Sequence, residues 1–308
     1  MLEIAIMIEG QNGLNWERWK RIVSAVEDYG FVGLYRSDHF TNAHAPDLDS
    51  LELWVSLTWL ADHTSRIEFG TLVTPLSFRN PIMTARQASA VDDLSRGRLT
   101  LGLGAGWQGR EHANYGFDLL DLGHRFKRFE EGVQIISHLL MRDTPLTFNG
   151  EFYHINDAVL LPRPQRRVPI LIGGNGEKRT LPLVARYASE WNATFQTPES
   201  FARLNAHLNE LLAENDEEPR LVRRSMMTGC VFGKDDNALK EKVTARGQIF
   251  GQLRERGIIT GTASQVVDQL GELSEVGVQR VMLQWLDLDD IDGLEALARD
   301  VLPKFTNA

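Results

Sequence analysis

Four short segments of this 308-residue chain put polar or glycine-rich groups where an apolar run ends. The first is Ser37-Asp38-His39. An imidazole there can act as general acid or base near neutral pH, and the Asp38 carboxylate beside it can orient it. The same triplet also fits a polar strand cap. Glu9 closes the apolar run 4–8, either facing the open end of what the strand builds or standing solvated. The third segment is Gly173-Gly174-Asn175-Gly176-Glu177-Lys178-Arg179-Thr180. Three glycines in four positions let the backbone turn tightly and approach a ligand. Amides at the start of the following helix, with Lys178 and Arg179, suit an anion, and phosphate is the natural guest. It is not a P-loop, since Glu177 precedes the lysine and Arg179 follows it. A plain strand-to-helix turn with solvated basic residues is the competing reading. The fourth segment, Gly104-Ala105-Gly106-Trp107-Gln108-Gly109, formally matches G-x-G-x-x-G, but the Trp107 indole would crowd a pyrophosphate. Gly104 and Gly106 can instead let a flat ring lie against backbone, with Trp107 beside it. His112 and Tyr115 follow, on a pocket wall or a surface helix.

Other chemistries lack their residues. The eight histidines form neither H-x-H nor H-E-x-x-H, so no metal site is expected. No G-x-S-x-G elbow is present. Trp16, Trp19, Trp54 and Trp59 fall at helical spacing and read as packing residues. A net charge of −9 opposes general nucleic-acid binding. The single cysteine, Cys230, excludes an internal disulfide and fits a reducing compartment. Glu3 and Glu9 interrupt the first apolar run, which has no basic n-region, so no signal peptide is expected. No apolar stretch approaches the roughly 20 residues of a membrane span. These features predict a soluble, cytoplasmic protein acting on a small molecule.

The elements that must hold these segments alternate. Strands are expected at 4–8, 31–36, 67–73, 99–103, 169–172, 191–195, 226–232 and 278–285. Helices fall between them: Asn15 caps the first, Ser50 precedes a second over 51–61, and Asn80-Pro81 opens the third. Residues 142–168 break the rhythm with Pro145, Asn149-Gly150, Pro162 and Pro164, and read as an inserted hairpin between the fourth helix and the fifth strand. Eight strands with intervening helices predict a single α/β domain over 1–308, a (β/α)8 TIM barrel, with a doubly wound open sheet as the competitor. All four segments then sit at carboxyl ends of strands, where barrels carry their active sites.

Taken together, the chain resembles the bacterial luciferase-like flavin-dependent oxidoreductases, and within them the branch using the deazaflavin coenzyme F420. The matching pieces are Tyr35-Arg36-Ser37-Asp38-His39-Phe40, Gly70-Thr71-Leu72-Val73-Thr74-Pro75, residues 101–107, the segment Ile172 to Thr180, and residues 185–192. The resemblance implies a cofactor site formed by Asp38, Thr71, Leu72, Gly104, Gly106, Trp107, Gly173, Gly174, Asn175, Gly176, Lys178 and Arg179. It places a non-prolyl cis peptide at Thr71–Leu72, under the ring, and the cofactor phosphate at 173–179. It implies hydride transfer between coenzyme F420 and an organic substrate, with His39 exchanging the proton, Asp38 orienting it and Glu9 as a second catalytic candidate. Trp107 departs from the acidic residue of the family's sugar-phosphate and alcohol dehydrogenases, so their substrates do not carry over. An FMN-dependent monooxygenase using O2, and a flavin-binding protein without turnover, are the alternatives. The family usually forms homodimers.

Overall fold

The computed structural model describes residues 2–214, 221–245, 247 and 249–305. A parallel strand covered on both faces must be apolar on both, which is why these strands read as nearly unbroken hydrophobic runs. The chain runs β1 (Glu3–Ile8), α1 (Trp16–Asp28), β2 (Gly33–Arg36), α2 (Leu53–His63), β3 (Glu68–Thr71), β4 (Thr74–Pro75), α3 (Pro81–Leu94) and β5 (Leu99–Gly104). Two helices, α4 (Gly109–Tyr115) and α5 (Leu122–Met141), precede an antiparallel hairpin of β6 (Leu146–Asn149) and β7 (His154–Ala158). Alternation resumes with β8 (Ile170–Gly173), α6 (Thr180–Tyr187), β9 (Glu190–Thr194), α7 (Pro198–Glu214), β10 (Arg223–Phe232), α8 (Asp236–Ala245), α9 (Phe250–Glu255), β11 (Ile259–Gly261), α10 (Ala263–Glu275), β12 (Arg280–Gln284) and α11 (Ile291–Val301).

Eight strands pair in parallel in the order β1-β2-β3-β5-β8-β9-β10-β12, and β12 pairs back to β1. The sheet therefore closes into a barrel and the open-sheet alternative falls away. The inserted hairpin is where the proline-rich stretch placed it. Asn15 and Asn80 cap α1 and α3 as expected. The cap of α2 is Glu52, whose carboxylate accepts from Val55 N–H, whereas the Ser50 hydroxyl donates to the His39 carbonyl. The chain between α8 and α10 contributes α9 and β11, the latter pairing in parallel with the end of β10. Among the described residues no helix is long and apolar enough to cross a membrane.

Alternation along each strand sends every second residue into the barrel. The register Glu3↔Arg280, Ala5↔Met282, Met7↔Gln284 sets three layers. The lowest is ionic. Arg280 is fully buried and donates from Nε to Glu3 (2.7 Å), from Nη2 to Glu68 (2.7 Å) and from Nη1 to the Tyr35 hydroxyl (2.6 Å). Arg223 adds contacts to Glu3, Glu68 and Glu190 at 3.7–3.8 Å, which explains why β10 begins three residues earlier than its apolar run. Burial pushes the Glu190 carboxyl above its ordinary range, with Arg280 only partly offsetting it. Above this layer, Ala5, Tyr35, Leu171 and Met282 form an apolar plug. The two ends of the barrel are therefore separated by packed side chains.

Replacing Arg280 with Met should cost about 3–5 kcal/mol, because the buried Glu190 carboxyl and Tyr35 hydroxyl lose their cation. A carboxyl whose folded value is raised loses stability as pH rises through that value, so the deficit should shrink toward acid pH. Urea unfolding of Arg280→Met across pH 5–8 checks both points.

Candidate functional site

At the carboxyl end of the barrel lies a cavity of about 440 Å³. Its floor is made by the turn between β3 and β4. Thr71 is still held in the ladder: its hydroxyl donates to Gly102 O (2.6 Å) and accepts from Gly102 N–H (2.9 Å). Leu72 N–H still reaches Arg36 O at 2.7 Å. The regular strand ends there, so the cis bond joins Leu72 to Val73, one peptide later than expected. Val73 then turns inward. An added Cβ would stand 2.5 Å from its side chain at Gly104 and 3.0 Å at Gly173, whereas at Gly102 it would meet the Thr71 carbonyl oxygen at 2.0 Å. Gly104 and Gly173 therefore make room for one valine. Leu72 and Val73 line the cavity, whereas Thr71 and Gly104 are buried behind it.

His39 leaves β2 on a loop and lines the cavity. Its Nδ1 lies 2.9 Å from Glu111 Oε1, and the other oxygen of Glu111 accepts from Phe40 N–H at 3.0 Å. A carboxylate only accepts, so Nδ1 carries a proton toward it, and Nε2 has no protein partner among the described residues. Burial alone would lower the imidazole pKa. The hydrogen bond to Glu111 and the charges of Glu111, Glu9 and Asp38 outweigh it, and the net direction is up.

Asp38 does not orient His39. Its carboxylate takes two bonds from Arg79 (Nε 3.0 Å, Nη2 2.7 Å) and one from Thr74 Oγ1 (3.2 Å), so it is buried under the wall and fixes β4. It does not line the cavity. The partner of His39 comes instead from α4. That helix is bound to the loop after β2 by Thr41 Oγ1 to Gln108 Oε1 (3.1 Å), Gln108 Nε2 to Thr41 O (2.9 Å) and Arg110 to Asp47 (2.6 Å). His112 is structural: Nδ1 meets Gln108 O at 2.7 Å and Nε2 meets Ser77 Oγ at 2.8 Å. A carbonyl fixes the proton on Nδ1, so Nε2 accepts from the serine.

Glu9 faces the cavity, its Oε1 accepting from Gln284 Nε2 (2.7 Å) and Oε2 from Gln11 Nε2 (2.9 Å). Trp107 stands at the rim, 63% exposed and edge-on to His39 with centroids 5.7 Å apart. Gly106, Gly173 and Gly174 complete that side. Asn175 ties β8 to β9 through two bonds with Thr194 (2.8 and 2.9 Å). Gly176, Lys178 and Arg179 are exposed beside the cavity rather than in it. Among the described residues, the backbone N–H groups of 176–179 donate to no other backbone carbonyl, while Thr180 and Leu181 N–H both reach Gly176 O. Arg179 lies over the Phe126 ring at 5.7 Å. Arg125 of α5 donates to Gly106 O at 3.0 Å, and its Nε is buried without a partner. A shelf, an open ring of amides and three cations thus share one side.

Sequence reasoning missed Glu111, Arg125 and the lining residues Gln11, Asn192, Phe195, Met227 and Gln284. Glu111 sits in a charged stretch that reads as helix surface, and nothing local marks it as buried. Arg125 likewise reads as an ordinary surface cation.

The matching family model is that of the luciferase-like monooxygenases, over residues 3–256. An F420-dependent glucose-6-phosphate dehydrogenase of Segniliparus rotundus is 32% identical over 91% of this chain and 91% of that protein. The enzyme of the same name from Kineococcus radiotolerans is 35% identical over 53% of this chain, and the chain spans about half of that relative's length (46%). A solved structure of an F420-dependent secondary alcohol dehydrogenase in complex with an F420-acetone adduct superposes with a TM-score of 0.86 at 18% identity, covering 99% of both chains, a likeness of fold. With more than three quarters of its length matched by that family model, the chain belongs to the luciferase-like monooxygenase family.

Proposed function

We propose that this protein is an oxidoreductase that seats the ring of coenzyme F420 over the Leu72–Val73 shelf and moves a proton to or from a small organic substrate through His39. The names of its relatives, dehydrogenases that use this coenzyme, support the reading. The residues also fit the group. The glycines that admit Val73 leave a flat apolar floor, and the cations Arg125, Lys178 and Arg179 beside the open amides of 176–179 suit a phosphate at the edge. When bound, the deazaflavin supplies hydride chemistry, and the protein supplies position and proton handling.

One observation carries the proton assignment: His39 is gripped at Nδ1 by buried Glu111, so its Nε2 is presented to the cavity in a fixed orientation. Glu111 acts through His39 and is a positioning residue. It also raises the imidazole's affinity for a proton, against the effect of burial. Glu9, held by two amides, presents its remaining lone pairs to a substrate.

Titration with coenzyme F420 and with FMN tests the cofactor. Saturable binding of F420 is expected, and tight binding of FMN alone would reverse the choice. Lys178→Ala with Arg179→Ala should weaken F420 affinity about tenfold at low ionic strength and less at high salt. Unchanged affinity would remove the phosphate assignment.

His39→Ala should leave cofactor affinity within about twofold and slow turnover by roughly 10²–10⁴. In the oxidising direction activity rises with pH as the imidazole loses its proton. Glu111→Gln removes the charge that raises His39 but leaves the burial that lowers it, so this limb should move to lower pH. A pH profile that does not move would leave Glu111 a merely structural group.

A further inference from the structure

The cavity is electrically divided, and the division follows strand order. In the closed sheet, neighbours β5 and β8 lie across the barrel from neighbours β12 and β1. The cations Arg125, Lys178 and Arg179 stand over β5 and β8. Over β12 and β1 stand Gln284 and Glu9. Both oxygens of Glu9 are held by neutral amides, so its position is fixed and its charge is not cancelled. Among the described residues no lysine or arginine lines the cavity. The cations behind its wall are engaged elsewhere. Arg36 donates to Ser56 Oγ and Leu51 O (2.6 Å each), and Arg79 to Asp38 and Glu52. His39 is already matched by Glu111.

An anionic cofactor tail belongs over β5 and β8, which leaves the Glu9 side for the substrate. A phosphate or carboxylate there would lose water beside a fixed carboxylate with no lysine or arginine among the described lining residues to replace it, an arrangement that disfavours anions. Space limits the substrate as well. About 440 Å³ is near the lower end of ligand pockets, which run from roughly 300 to 1,000 Å³, and it must also take the ring. Met7, Met227 and Phe195 offer apolar contact, while Asn192, Thr194 and Gln284 offer neutral hydrogen bonds.

Resting on the function proposed above, we propose that the substrate is a small uncharged molecule presenting a hydroxyl or carbonyl oxygen to His39, and that Glu9 is the residue that excludes anions. On this reading sugar phosphates, which the names of the relatives would suggest, are disfavoured as substrates.

The test uses cofactor-loaded protein and calorimetric titration with matched pairs: glucose and glucose 6-phosphate, cyclohexanol and 4-hydroxycyclohexane carboxylate. At least one neutral member should bind about 100-fold more tightly than its anionic partner. Glu9→Gln, checked for folding by circular dichroism, should narrow that ratio at least tenfold. The proposal is overturned by anions binding as tightly as their neutral partners, by a ratio indifferent to Glu9→Gln, or by neither class binding. Failure of the protein to load with cofactor, seen before any substrate is added, instead overturns the function on which the proposal rests.

Discussion

A single contact organises this site: the 2.9 Å bond between His39 Nδ1 and the buried carboxylate of Glu111. It joins a loop leaving β2 to a short helix leaving β5, and it decides which imidazole nitrogen looks into the cavity. The surrounding bonds defend it. Gln108 locks the loop through Thr41, Phe40 N–H satisfies the second oxygen of Glu111, and Arg110 closes the outer edge on Asp47. A buried carboxylate is tolerated only when its lone pairs are filled, and here both oxygens are engaged.

The second constraint is steric. Where β3 breaks, Val73 packs over the ends of β5 and β8, and glycine at 104 and 173 leaves it room. That seating explains why those two strand ends lack side chains. Below it the apolar plug and the Arg280 cluster shut the barrel, so chemistry is confined to the upper rim. The rim is in turn polarised, with cations over β5 and β8 and a carboxylate over β1.

Much of this was legible in the sequence, because strand and helix periodicity are local. The eight barrel strands, the caps Asn15 and Asn80, the inserted hairpin and the strand-end location of His39, Glu9, Gly173 and Trp107 all follow from neighbours within a few residues. Partner choice was not legible. Asp38 sits next to His39 in the chain, yet it folds onto Arg79, 41 positions away, while Glu111 reaches His39 from 72 positions away. Proximity in sequence misassigned the orienting carboxylate, since adjacent residues at a strand end point in opposite directions. A glycine that receives a side chain, as Gly104 receives Val73, and one that receives a ligand look identical in the sequence until the side chain is placed. The cis bond was displaced by one residue because only the Thr71 hydroxyl bonds show where the regular ladder stops.

The central claim is one of orientation, with a flat ring on the Leu72–Val73 shelf, its charged tail over the turn after β8, and substrate toward Glu9. A crystal structure of the protein with coenzyme F420 tests this most directly. The account predicts the ring against Val73 within reach of His39 Nε2, and the phosphate against the amides of 176–179. A ring seated elsewhere, or a phosphate lying on the Glu9 side, would contradict it.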